Sequence, residues 1–196
     1  EVISAGCEPV AVFTLPKDSV SLRHSDYADL SWARGLNIPV HYVDNVNEYG
    51  DTLRNYEPDV IFCFGWSGML LQETLEIPRL GCVGSHPAML PRNRGRHPII
   101  WAIALGMKET GLTFFRMTNR ADDGPIVSQE KIPMATDETA RGLYDKVKAS
   151  DLMLMPPSTT IRSLAAERCK AIKRSREITG AYGQQVSDVI ERVVAY

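Results

Sequence analysis

The chain has 196 residues, with 22 Lys+Arg against 24 Asp+Glu, for a formal charge of −2; 44 % of residues are hydrophobic and 23 % charged. These values fit one soluble globular domain and exclude a mostly disordered, collagen-like or membrane-embedded chain, since no apolar run approaches the roughly 18 residues a spanning helix needs. With a sequence pI near 6.1 there is no overall positive field of the kind that grips nucleic acid through phosphates, so a small polar or anionic metabolite is the expected partner.

In chain order, Val10 to Leu15 is apolar and β-rich up to Pro16, and Val40 to Val43 repeats the pattern after a helix-compatible stretch from Tyr27 to Leu36. Both read as strands. Val60 to Phe64 is apolar without interruption and stops at Gly65, which suits a strand buried on both faces of a parallel sheet. Gly68 to Glu76 reads as a short helix, Gly81 to Val83 as a short strand, and Pro98 to Gly106 as an apolar helix ended by glycine. This alternation predicts an open, mostly parallel Rossmann-like α/β sheet, which takes ligands beyond the carboxyl ends of its strands. Leu112 to Met117 and Ile126 to Ile132 then read as a strand ribbon presenting the polar turn Thr118 to Gly124, and a helix capped by Thr136 follows from Asp137. From about Pro156 the chain is a basic helical stretch, ending in an amphipathic run from Val186 to Val194 read as a helix, either an interface of a homodimer or internally packed. The division is a core over 1–155 and a helical extension over 156–196.

The cysteines at 7, 63, 82 and 169 are too irregular for metal pairs or a disulfide framework, which points to reduced thiols in a cytosolic, cytoplasmic protein. Cys63 and Cys82 lie in apolar stretches and read as small buried hydrophobes. The first residues lack a basic, apolar and small-residue succession, so no secretory signal is expected there.

Chemistry concentrates between positions 81 and 124. His86 follows a short strand and precedes Pro87, Pro91 and Gly95, so it projects from a rigid loop at the sheet edge. It is either a structural loop histidine or a proton carrier oriented by a nearby carboxylate, for which Asp122 and Asp123 are the candidates. The Asp-Asp-Gly turn is equally readable as a plain turn. Arg92, Arg94 and Arg96 form either a solvated basic loop or an anion site. Trp101, on an apolar helix, is expected in the core, while His24, His41 and His97 receive no role.

The succession His86-Pro-Ala-Met-Leu-Pro91, Arg94-Gly95, Pro98 with Trp101-Ala102, Thr110-Gly111 with Thr113, and Asp122-Asp123-Gly124 with Ile126 resembles the 10-formyltetrahydrofolate-dependent formyltransferases. The similarity runs from the amino terminus to about position 149. The Gly65-Trp66 turn, Arg94 to Pro98 and Ile100-Trp101 most resemble the branches that act on nucleotide-linked amino sugars, in lipopolysaccharide biosynthesis. The resemblance implies a formyltransferase fold and transfer of the formyl group from 10-formyltetrahydrofolate to an amine without a metal. It implies that His86 and Asp122 are catalytic, and that Gly68, Met69, Leu70, Arg96, Thr118, Asn119, Arg120, Ala121 and Asp122 bind the folate. The asparagine the family carries two residues before the histidine is Gly84 here; Ser85 or a backbone amide is expected to stand in, or the branch to use a different geometry, with a catalytically impaired folate- or nucleotide-binding relative as the alternative.

Family members begin with a strand at the sheet centre. That strand is expected to be missing here, the chain being truncated or the gap filled by a partner segment. Arg162 to Glu177 does not reproduce the acceptor-placing segment of the sugar branch, and its six Lys/Arg among sixteen residues raise a methionyl-tRNA formyltransferase-like enzyme as a second possibility. The mild acidity argues against it, leaving a nucleotide sugar and folate as expected partners, with no membrane and no nucleic acid.

Overall fold

The computed structural model describes residues 8–16, 30–66, 68–154 and 192–195. Strands β1 (Glu8–Thr14), β2 (Val40–Tyr42), β3 (Val60–Cys63), β4 (Cys82–His86), β5 (Glu109–Arg116), β6 (Ile126–Pro133) and β7 (Arg192–Ala195) form one sheet in the order β2-β1-β7-β3-β4-β5-β6. The first five in that order run parallel, whereas β5 is antiparallel to β4 and β6 to β5. Helices α1 (Ser31–Gly35), α2 (Gly50–Asn55), α3 (Gln72–Leu75), α4 (Pro98–Ala104) and α5 (Ala140–Leu154) occupy the connections.

Every residue of β3 is buried, as its unbroken apolar run predicts for a strand covered on both faces. Val60, Phe62, Val83, Leu112 and Phe114 face Ala102 of α4 and Leu143 and Val147 of α5. The opposite residues Ile61, Cys63 and Cys82 pack with Phe13, Val43, Leu53, Leu70 and Leu75. Strand alternation therefore puts Gly84 and His86 on the second face, in line with Cys82.

Four expectations need correction. The sheet does not lack a central strand: β7 fills the slot between β1 and β3, with Val193 opposite both Pro9 and Val60. An empty slot would strand the backbone N–H and C=O groups of two buried strands, and the carboxy-terminal segment satisfies them instead. For the same reason Arg192–Ala195 is a strand and not the end of a helix; residues 186–191 and 156–177 lie outside the described residues, as do Cys7, Cys169, His24 and the first part of the 27–36 stretch. The segment 68–71 is not helical, because Asn47 binds it in extended form: its Nδ2 donates to the Met69 carbonyl, and its Oδ1 accepts from the Leu71 amide and the Thr74 hydroxyl, all at 2.9 Å. Finally, Thr139 and not Thr136 caps α5, its Oγ1 accepting from the Gly142 amide at 3.0 Å.

Candidate active site

β4 carries His86 as its last residue, and that side chain is nearly buried, at 6 % exposure. Its Nε2 lies 2.9 Å from the Asn93 carbonyl oxygen. A carbonyl only accepts, so this nitrogen carries the proton. Its Nδ1 lies 3.6 Å from Asp122 Oδ2, where a second proton would face a carboxylate at ion-pair distance. The same Oδ2 accepts the Gly95 amide at 2.8 Å. Both ring nitrogens are thus addressed, one by backbone and one by charge.

Asp122 reaches this position across the sheet. β5 runs back along β4, pairing Thr113 with His86 and Arg116 with Val83, so the loop after β5 starts beside the beginning of β4. It closes where the Arg116 amide donates to the Pro125 carbonyl at 2.9 Å, and it must span about 10 Å of strand, at some 3.3 Å per residue, to bring Asp122 to His86. Asp122 adopts φ 50°, and in the facing loop Asn93, Gly95 and His97 adopt φ 55°, 98° and 60°. Asn, Asp and His tolerate this left-handed region better than most residues, and such clusters of backbone strain concentrate at functional sites. Asp123 joins the two loops a second time: Arg94 Nη2 is 2.6 Å from its Oδ1 and Arg120 Nη1 is 3.4 Å from its Oδ2. The adjacent carboxylates therefore divide their work, Asp122 serving His86 and Asp123 holding the loops together.

Room at the position of the family asparagine is tight. A Cβ built on buried Gly84 would lie 3.1 Å from Met117 Cγ, 3.2 Å from Met117 Sδ and 3.2 Å from Phe115 Cε1. Ser85 does not stand in for it, because alternation turns Ser85 to the face opposite His86, where its partner in the sheet is Phe114 of the core.

Gly68, Met69 and Leu70 follow the carboxyl end of β3, the same edge at which β4 delivers His86; Met69 is half-exposed, whereas Leu70 is spent in the core. Thr118 Oγ1 accepts the Arg120 amide at 3.2 Å in a local turn, and Asn119 and Ala121 are exposed beside it. Arg96 is exposed and has no ion-pair partner among the described residues. Trp101 is 58 % exposed, not buried as expected, because α4 packs through Ile99, Ala102 and Ile103 and turns Ile100, Trp101 and Leu105 outward. His41 donates to or accepts from the Tyr56 hydroxyl at 2.7 Å and stacks on Phe13, away from these loops. Burial pushes the Cys82 thiol up to about 12 and raises that of Cys63 too, so neither is a nucleophile. Asn93 and Gly95 act through backbone atoms, for which residue type gives little signal.

Among the described residues no group of three or more His, Cys, Asp or Glu comes together to hold a metal ion, and no helix is long and apolar enough to cross a membrane.

A family model described as Formyl transferase matches residues 24–159. Among solved structures, phosphoribosylglycinamide formyltransferase from Bacillus halodurans is similar at 24 % identity and TM-score 0.67, over 83 % of this chain and 86 % of that one. Glycinamide ribonucleotide transformylase 1 from Geobacillus kaustophilus is similar at 22 % identity and TM-score 0.62, over 80 % and 83 %. A Mycobacterium tuberculosis protein provisionally described as a sugar N-formyltransferase is similar at 18 % identity and TM-score 0.52, over 95 % and 75 %. At these identities the structures speak for the fold.

Proposed function

Because the chain belongs to the formyl transferase family, we propose that it transfers the formyl group of 10-formyltetrahydrofolate to the amine of a nucleotide-linked 4-amino sugar. The observation that carries the reaction is the buried His86 held between Asp122 and the Asn93 carbonyl, 3.6 Å and 2.9 Å away. The sugar acceptor is supported by the Arg94 to Pro98 and Ile100-Trp101 sequences and by the provisional description of the mycobacterial structure.

In this reading the unprotonated amine attacks the formyl carbon, forming the new C–N bond and moving the carbonyl pair onto oxygen. His86 keeps its Nε2 proton on the Asn93 carbonyl, which leaves Nδ1, facing Asp122, free to take a proton from the reacting atoms and has the carboxylate stabilise the imidazolium. It accepts the amine proton and returns it to N10 of the folate as the C–N10 bond breaks, so tetrahydrofolate leaves neutral at that nitrogen. The tetrahedral oxygen is met by backbone amides at the strand end, with Gly84 offering no side chain. The folate is held by Gly68, Met69 and the backbone of Leu70, by Arg96, and by the turn Thr118, Asn119, Arg120 and Ala121 leading into Asp122. No metal enters the reaction.

The test is to incubate the full chain with 10-formyltetrahydrofolate and UDP-, dTDP- and GDP-linked 4-amino sugars, alongside glycinamide ribonucleotide and initiator methionyl-tRNA, following tetrahydrofolate release. Turnover with a sugar alone supports the reading. Turnover with glycinamide ribonucleotide or tRNA and with no sugar overturns it.

A further inference from the structure

His86, Thr113 and Gln129 form one rung across three strands: Thr113 is the sheet partner of His86 on β4 and of Gln129 on β6. Partners directly opposite one another project to the same face, so the three side chains stand in a row. The chain leaving His86 folds back over that row and is fastened to it. The Thr113 hydroxyl, fully buried, donates to the Ala88 carbonyl at 2.6 Å and accepts from the Leu90 amide at 3.3 Å. The Gln129 carboxamide donates from Nε2 to the Leu90 carbonyl at 2.9 Å and to Thr113 Oγ1 at 2.7 Å.

Those contacts bracket the three residues Ala88 to Leu90. Two backbone bonds extend the fixed stretch in both directions, the Ala88 amide to the His86 carbonyl at 2.8 Å and the Arg92 amide to the Met89 carbonyl at 2.9 Å. The next residue is Asn93, whose carbonyl holds His86 Nε2. Gln129 therefore reaches His86 through the loop it fastens: its amide is committed to the Leu90 carbonyl and to the Thr113 hydroxyl that holds the same loop. A hydroxyl committed to one carbonyl and two donors has no freedom to reorient, which makes the pair rigid.

We propose that Gln129 and Thr113 are positioning residues for His86, fixing the loop that orients its ring and selects the Nε2-protonated form. The proposal rests on the reading of His86 as the proton-handling residue, but not on the identity of the acceptor.

The experiment compares Gln129→Met, which keeps length and volume without the amide, with Thr113→Val and Thr113→Ser in the full chain. The ring ¹⁵N resonances of His86 are recorded without substrate, and kcat and KM are measured with whichever acceptor is turned over. Gln129→Met is expected to shift the His86 resonances toward a tautomer mixture and to lower kcat at least about tenfold with KM changed less than about threefold. Thr113→Ser, retaining the hydroxyl, is expected to keep both readouts while Thr113→Val loses them. Unchanged His86 resonances in folded Gln129→Met overturn the proposal even if the acceptor is misassigned. If Gln129→Met does not fold, equal losses in Thr113→Ser and Thr113→Val overturn it, because they would assign the effect to packing.

Discussion

Replacing Gly84 with asparagine restores the side chain that the family carries two residues before its histidine, and the structure states what it would meet. The added Cβ alone would sit 3.1 to 3.2 Å from Met117 and Phe115, inside the roughly 3.5 to 4.0 Å at which carbon contacts are most favourable, before the carboxamide is placed at all. Overpacking of this kind costs about 1–3 kcal/mol, which for a domain of this size lowers Tm by about 2 to 12 °C. An oxyanion donor that was truly wanting would be worth about 10²–10³ in rate. Backbone amides fill that role in the present account, so Gly84→Asn should lose thermal stability and gain less than about threefold in kcat. Gly84→Asn with Met117→Ala makes room and should recover much of the lost Tm, again with no large gain in rate. Differential scanning fluorimetry and steady-state tetrahydrofolate release measure both quantities. A gain near 100-fold in either variant, the lower edge of what one donor is worth, would refute the reasoning and show a site impaired by the loss of its asparagine.

Asp122→Asn keeps an oxygen for the Gly95 amide but removes the charge facing His86 Nδ1; kcat should fall by about 10²–10⁴ with folate affinity nearly kept, and a loss under about fivefold would count against the assignment. Peptide mapping after iodoacetamide treatment at pH 8 should find Cys63 and Cys82 unmodified in the folded chain and labelled after denaturation, since both are buried. The raised Cys82 pKa binds its proton more tightly in the folded state, so that contribution is present below the ordinary value of 9.0 and is lost as pH rises through about 12. Alkaline melts should therefore show Tm falling across that interval, and less steeply in a folded Cys82→Ala variant.

How much of this was legible varies with the physics involved. β3 announced itself because a strand buried on both faces needs an unbroken apolar run, and α4 because a longer apolar run opens at Pro98 and is ended by Gly106. A run apolar on every side of the helix does not reveal which face will be covered, and Trp101 went outward. The run ending at Val194 carries an apolar pattern that also fits a helix; only the open slot between β1 and β3 makes Arg192–Ala195 a strand. β4 runs on to His86 because β5 pairs with it that far, a long-range fact invisible in Gly84-Ser85-His86. In the site, the pairing of His86 with Asp122 followed from motif resemblance. The Asn93 carbonyl and Gly95 amide did not, since backbone groups leave no trace in residue identity. The row of His86, Thr113 and Gln129 depends on strand register, which also shifts at an irregularity between Phe114 and Phe115.

The role of His86 in formyl transfer is tested by measuring transfer from 10-formyltetrahydrofolate to a nucleotide-linked 4-amino sugar by the unaltered chain and by His86→Ala, with folate affinity determined on the same preparations. The expected result is turnover by the unaltered chain, a kcat lower by at least about 10²-fold in the variant, and a folate Kd within about threefold of the original. Near-normal turnover by folded His86→Ala would contradict it.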